Sequence, residues 1–280
     1  MQLRILTVIF LLISQIHPTF AASGVQRIIT LSPHTTEIAY AAGLGNKIIA
    51  VSEKSDYPPE AQTKTKVANY KGINIEKILT LHPDLVIAWP AGNPAKALNK
   101  LRQMGIKIYN SQIRTLNDIA TNIETLSQYA DDPSVGLRNA RKFRKQLAML
   151  KTRYHSEQRV SYFYQLSEKP IITMAMDHWP SEVFSFCGGV NIFKNSPSPY
   201  PQVGLEQVIL AKPEVIFNSR HAVKDASMWQ KWHQIPAVSH HFIWTLNSDW
   251  INRPTPRTLN AIKEICNHFD QVRKMTNSSQ

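Results

Sequence analysis

Large rings stand at turn-rich places in this sequence, beside a few charged side chains at short spacing. Tyr57 precedes Pro58-Pro59, Tyr70 precedes Lys71-Gly72, Trp89 precedes Pro90, Trp179 precedes Pro180, and Tyr200 lies between Pro199 and Pro201. Rings next to prolines at strand ends cannot all face a core, so several are expected to line a cleft and to suit a broad, flat, partly apolar ligand. Trp250 sits in the run Ser248-Asp249-Trp250-Ile251-Asn252-Arg253-Pro254, where Asp249 and Arg253 offer polar handles. An Asp249 to Arg253 ion pair with no ligand role is the alternative. Glu76 and Glu206 each open a short predicted helix, after Asn74 and Gly204. They either complement the helix dipole or form a two-point docking surface for a basic partner.

Motifs for turnover are missing. The chain has no Gly-x-Ser-x-Gly elbow, no His-Glu-x-x-His and no Walker loop. Ten histidines are present, but His34 with Glu37 three residues on is a weak pair and no His-rich loop occurs, so metal-ion capture is disfavoured. The pattern points to a binding protein without a cofactor of its own.

The elements that must position these residues repeat. Thr36 to Gly43 is echoed by Ser181 to Gly188 at a spacing of 145 (181 − 36), and Glu76 with Pro83-Asp84-Leu85-Val86-Ile87 is echoed by Glu206 with Pro213-Glu214-Val215-Ile216-Phe217 at a spacing of 130 (206 − 76). Two related lobes imply a cleft between them. Strands are predicted at Arg27 to Leu31, Lys47 to Val51, Leu85 to Ala88 and Ile106 to Tyr109, then at Val160 to Gln165, Ile171 to Ala175, Val215 to Asn218 and Phe242 to Leu246. Helices between them and a closing helix from Pro256 to Lys274 complete an α/β pattern with mostly parallel sheets.

Arg4, the apolar run Ile5 to Ile13 and the exit Thr19-Phe20-Ala21-Ala22 read as a secretory signal peptide over residues 1–21. The chain is therefore expected to be exported and soluble. Cys187 and Cys266 are its two cysteines, which in an exported protein invite one disulfide, with two buried thiols as the alternative. The formal charge is +12, and eight basic residues against the single acid Glu157 fall between Pro133 and Arg159. Apolar residues at helical spacing make this segment one long amphipathic helix with a basic outer face. It divides the chain into an N-terminal lobe (22–130), a connecting helix (131–158) and a C-terminal lobe (159–280). Its aromatic residues Phe143 and Tyr154 fall on the apolar stripe and not on the basic face, which disfavours nucleic acid as a partner.

Arg27-Ile28-Ile29-Thr30-Leu31-Ser32-Pro33 with Thr36-Glu37, then Ser55-Asp56-Tyr57-Pro58-Pro59, Gly72-Ile73-Asn74-Ile75-Glu76, Pro83 to Trp89, Cys187 to Phe193, Pro201-Gln202-Val203 and Ser248-Asp249-Trp250 resemble the periplasmic vitamin-B12-binding proteins of cobalamin ABC importers. The opening motif is shared with the wider class of haem- and siderophore-binding proteins, which supplies the alternative function. The resemblance implies two α/β lobes joined by one long rigid helix, with cobalamin in the cleft. It implies ligand contacts from Asp249, Trp250, Ile251, Asn252 and Arg253, with Trp89, Tyr70 and Tyr200, and from the region of Lys54 and Tyr57. Lys54 stands where the family can present a tyrosine, and Tyr70 and Tyr200 stand where tryptophan is usual. Glu76 and Glu206 correspond to residues that dock on arginines of the permease subunits, which implies a monomer seated on a two-fold transporter. Cys187 and Cys266 match the family's disulfide positions.

Overall fold

Leu85-Val86-Ile87-Ala88 is apolar without alternation, and such a run is stable as a strand only when both faces of its sheet are covered. All four residues are buried, and Ile28-Ile29-Thr30 shows the same pattern. The computed structural model describes residues 24–175, 179–220, 223 and 226–278.

The first lobe is built by β1 (Ile28–Thr30), α1 (Pro33–Ala41), β2 (Ile48–Ser52), β3 (Thr65–Asn69), β4 (Gly72–Ile73), α2 (Ile75–Thr80), β5 (Leu85–Ala88), α3 (Ala95–Gln103), β6 (Ile108–Asn110) and α4 (Leu116–Ser127). Its sheet runs β4-β3-β2-β1-β5-β6, parallel except for the β3-β4 pair. The chain then crosses by α5 (Pro133–Arg153). The second lobe follows with β7 (Val160–Gln165), β8 (Ser167–Glu168), β9 (Ile171–Ile172), α6 (Ser181–Phe186), β10 (Gly189–Asn191), α7 (Leu205–Ala211), β11 (Val215–Ser219), α8 (Pro236–Ser239), β12 (Ile243–Leu246), α9 (Ser248–Ile251) and α10 (Thr258–Ser278). Its main sheet is parallel, in the order β10-β7-β11-β12.

The sequence repeat is a repeat of structure. β1-α1-β2 answers to β7-α6-β10, and α2-β5 answers to α7-β11, with β1 and β7 each flanked by the two partners this predicts. Along α2 and α7 the burial sequence is the same, with Glu76 and Glu206 exposed and Ile78 and Val208 fully buried. Gly43 and Gly188 follow α1 and α6 with φ of 87° and 82°, a left-handed conformation that glycine adopts without steric cost.

α5 begins with Asp132 as N-cap and Pro133 in the first turn, and its inward residues Ala140, Phe143 and Leu150 are buried. They belong to one core that runs from Ile38 and Ile123 in the first lobe to Tyr162, Phe184 and Phe269 in the second. At about 1.5 Å per residue its 21 residues span about 31 Å. Two smaller cores lie on the other faces of the sheets, one holding Ile78 of α2 and one holding Val208 of α7. The glutamate helices therefore flank the lobes on the faces turned from α5.

Several expectations change in detail. The helix predicted to reach Arg159 ends at Arg153, because Tyr154 turns inward and its hydroxyl donates to Asn267 of α10 at 2.8 Å. The strand predicted over Ile171 to Ala175 is confined to Ile171–Ile172, which pairs antiparallel with Ser167–Glu168 and stays outside the main sheet. β6 begins at Ile108 rather than Ile106, and the β3-β4 hairpin has no counterpart among the predicted strands. Cys187 and Cys266 form the disulfide, tying the end of α6 to α10. Among the described residues no helix is long and apolar enough to cross a membrane. The signal peptide over 1–21 lies outside the described residues.

Candidate functional site

In an open α/β sheet, ligands bind beyond the carboxyl ends of the strands, where the strand order reverses. The order reverses between β1 and β5 in the first lobe and between β7 and β11 in the second. Residues that follow β1, β5, β6, β7 and β12 meet in a cavity of about 290 Å³.

Its first-lobe wall is Pro33 and His34 after β1, Trp89 after β5 and Ile113 after β6. Asn93 fixes this wall. Its Oδ1 accepts from the Trp89 amide at 2.7 Å and its Nδ2 donates to the Leu31 carbonyl at 3.0 Å, so the loop after β5 is held against the turn after β1. The Trp89 ring leans edge-on to His34 with centroids 5.1 Å apart. Gly92 lies under it, where an added Cβ would meet the indole at 2.0 Å.

The second-lobe wall is Leu166 after β7, with Trp179, Tyr200, Asn252 and Arg253. Trp179 Nε1 donates to the Ile251 carbonyl at 2.8 Å, and the Tyr164 hydroxyl donates to Asn252 Oδ1 at 3.0 Å. Asn247 caps α9 by accepting from the Asp249 amide at 3.0 Å, which sets the turn that delivers Asn252 and Arg253. Trp89 is 39% exposed and Tyr200 52% exposed, so the cavity is the floor of a cleft rimmed by one ring from each lobe.

An ion network crosses the lobes beside this cavity. Arg253 pairs with Asp249 at 2.9 Å within its own lobe, and with Asp56 at 2.5 Å and Glu37 at 3.5 Å in the other. Arg257 donates through Nε and Nη2 to Glu37 at 2.8 and 2.6 Å and lies over the Tyr57 ring, 4.3 Å from its centroid. The Glu37 side chain is 2% exposed, so the pairing compensates a carboxylate that would be costly to bury alone. Burial opposes the charge on Asp56, but the Arg253 hydrogen bond and charge outweigh it and hold its pKa below the usual carboxylate value. Asp249 and Arg253 thus form the i,i+4 pair raised as an alternative, widened into an interlobe contact.

A larger depression of about 800 Å³ lies between α1, α5 and the segment Pro256 to Leu259. Glu37 and Arg257 reach it, yet each is engaged by the other. The smaller cavity, at the strand ends of both lobes, is the better candidate.

Of the residues singled out from sequence, Trp89, Tyr200, Asn252 and Arg253 line the cavity, and Asp249 reaches it through Arg253. Ile251 is fully buried in the core and contributes its carbonyl to Trp179. Trp250 is half-buried against that core. Tyr57 is spent on Arg257, Lys54 is exposed with φ of 63°, and Tyr70 is 90% exposed beyond β3; none of the three lines the cavity. His34, Ile113, Leu166 and the network of Glu37, Asp56 and Arg257 were not assigned to the site from sequence. Their signal is positional: all but Glu37 and Arg257 follow closely on the carboxyl end of a predicted or observed strand. Among the described residues no three His, Cys, Asp or Glu side chains converge as a metal site would require.

The sequence pattern of the periplasmic binding protein family matches residues 28–249. The chain is 62% identical over 257 residues to a vitamin B12-binding protein of Vibrio parahaemolyticus serotype O3:K6, an alignment covering 91% of this chain and 94% of that one. It superposes on the crystal structure of the periplasmic vitamin B12 binding protein BtuF of Vibrio cholerae with a TM-score of 0.86 and 58% identity, over 89% of this chain and 98% of the other. The periplasmic heme-binding protein BhuT, in complex with two hemes, has the same fold at a TM-score of 0.79 and 17% identity, covering 88% and 98% of the two chains.

Proposed function

The chain belongs to the periplasmic binding protein family, and from that membership we propose that it captures vitamin B12 (cobalamin) between its lobes and delivers it to an inner-membrane ABC importer. The observation that carries this reading is a cleft rimmed by Trp89 and Tyr200, one ring per lobe, in a chain 62% identical to a vitamin B12-binding protein. Two rings facing across a gap suit a flat macrocycle, and burying each is worth about 1–3 kcal/mol of binding. Asn252 supplies a polar contact at the edge. Arg253 already answers three carboxylates, so it shapes the wall and holds the lobes in register.

In this reading residues 22–130 and 159–280 act as the two lobes, in the periplasm. The protein is a carrier and not an enzyme, cobalamin is its cargo rather than a cofactor, and nucleic acid is not a partner. Glu76 and Glu206, exposed on matched helices, dock a monomer on the permease subunits of a two-fold transporter. Calorimetric titration with cyanocobalamin, with haemin and a ferric siderophore as competitors, tests the function. Saturable one-to-one binding of cobalamin is expected. Uptake of haem or siderophore with no cobalamin binding would move the function to another branch of the family.

A further inference from the structure

We infer that His34 is a specificity residue of the cleft whose Nε2 accepts a hydrogen bond from an N–H group of the bound corrinoid, an inference that rests on the cobalamin reading above. The argument begins with the protons around it. Thr35 Oγ1 gives its one proton to the Ser32 carbonyl at 2.9 Å, so it can only accept from the Ser32 amide at 3.1 Å and the Ser32 hydroxyl at 3.0 Å. Ser32 Oγ has then given its own proton away. It accepts from the Thr35 amide at 3.3 Å, and its contact with His34 Nδ1 at 3.1 Å must be a second accepted bond. Nδ1 therefore carries the imidazole proton and Nε2 carries a lone pair.

That lone pair stays available. Burial first, and the Arg253 charge second, push the His34 pKa down to about 3, so the ring is neutral at any pH near 7. The ring lines the cavity while its Nδ1 is held at Ser32, and Nε2 is the polar atom it can offer to a ligand. Among the described residues of this wall, Pro33 and Ile113 have no polar side-chain atom and Trp89 has only an N–H donor, so Nε2 is the side-chain acceptor the wall presents. Across the cleft Arg253 Nη1 and Nη2 are engaged by Asp249, Asp56 and Glu37. A macrocycle bearing primary amides at its edge matches an acceptor in a wall that is otherwise mostly apolar.

The test compares two replacements. His34→Asn keeps a donor near the Nδ1 position and loses Nε2, whereas His34→Gln places a side-chain oxygen near Nε2 and loses the Ser32 contact. Cyanocobalamin affinity is expected to fall about five- to tenfold in H34N and to stay within about threefold of the parent in H34Q. The reverse order would make the Ser32 bond the important one and overturn the inference, as would unchanged affinity in both. A cobalt absorption change on binding that vanishes in both variants would make Nε2 a metal ligand instead, and would also overturn it. On the parent chain, ¹⁵N imidazole shifts are expected to report a protonated Nδ1 and a change at Nε2 when cobalamin is added; a protonated Nε2 would refute the assignment whether or not the variants fold. If the parent chain binds no cobalamin, the functional reading fails first.

Discussion

The two lobes share a topology and differ in what holds them together. In the first, the interior is aliphatic, with Ile28, Ile38, Leu44 and Ile48 fully buried or nearly so, and its helices α1, α2 and α4 are capped by the side chains of Ser32, Asn74 and Thr115. In the second, Tyr162 stacks on Phe184 at 4.4 Å, with Phe217 and Phe269 around them, and a disulfide ties the end of α6 to α10. What the lobes have in common is the reversal of strand order that places residues at the cleft. The comparison teaches that the site is built from what is repeated, while each copy contributes different side chains to one core that both share.

Changes confined to one lobe sharpen that contrast. Replacing Cys187 and Cys266 by Ala removes a constraint over 79 residues from the second lobe, and chemical denaturation is expected to register a loss of about 4 kcal/mol. Because the core is continuous through α5, the whole chain should still unfold in one transition; a first lobe that outlasts the second would break the picture of a shared core. Glu37→Ala strips both arginines of a buried partner, with an expected cost of about 3 kcal/mol and no comparable effect from removing the exposed Asp131.

Acid acts on one buried histidine per lobe. His34 falls to about 3 and His268 to about 4, each through burial, so below pH 6.5 the unfolded chain takes up protons that the folded chain refuses. Their contribution is complete above pH 6.5 and is lost as the pH falls toward the folded values. At pH 4 His34 accounts for about 3 kcal/mol, and the less buried His268 for a smaller share. Denaturation midpoints between pH 7 and pH 4 check this, and a flat profile would contradict it. The smallest effect on stability, within about 1 kcal/mol, is expected from the double replacement Glu76→Ala and Glu206→Ala. That variant should keep its cobalamin affinity and lose binding to permease-containing membranes; unchanged docking would reduce both residues to dipole partners.

Much of this molecule is legible in its sequence because the deciding signals are local. The unbroken apolar run Leu85 to Ala88, the Asp132-Pro133 start of α5 and the repeated helix-Gly-strand order all act over a few residues. The hairpin β3-β4 escaped because Thr65–Asn69 is exposed at both ends and lacks the buried pattern of its neighbours. Ile171 to Ala175 misled because an apolar run after a turn pairs as readily with a nearby hairpin partner as with a sheet. The Glu37 to Arg257 pair joins residues 220 apart, which no spacing rule can reach. His34 was visible only as half of a weak pair with Glu37. Its place at the cleft depends on which strand ends at the point where the sheet order reverses. Tyr70 shows the converse, a ring beside a turn that points to solvent.

The most direct measurement is the affinity for cyanocobalamin of the parent chain, Trp89→Ala, Tyr200→Ala and the double variant, each checked for an unchanged melting temperature. If the ligand is held between one ring from each lobe, each single change should weaken binding about tenfold and the pair about a hundredfold. Affinity that is unchanged when either ring is removed would contradict binding across the cleft.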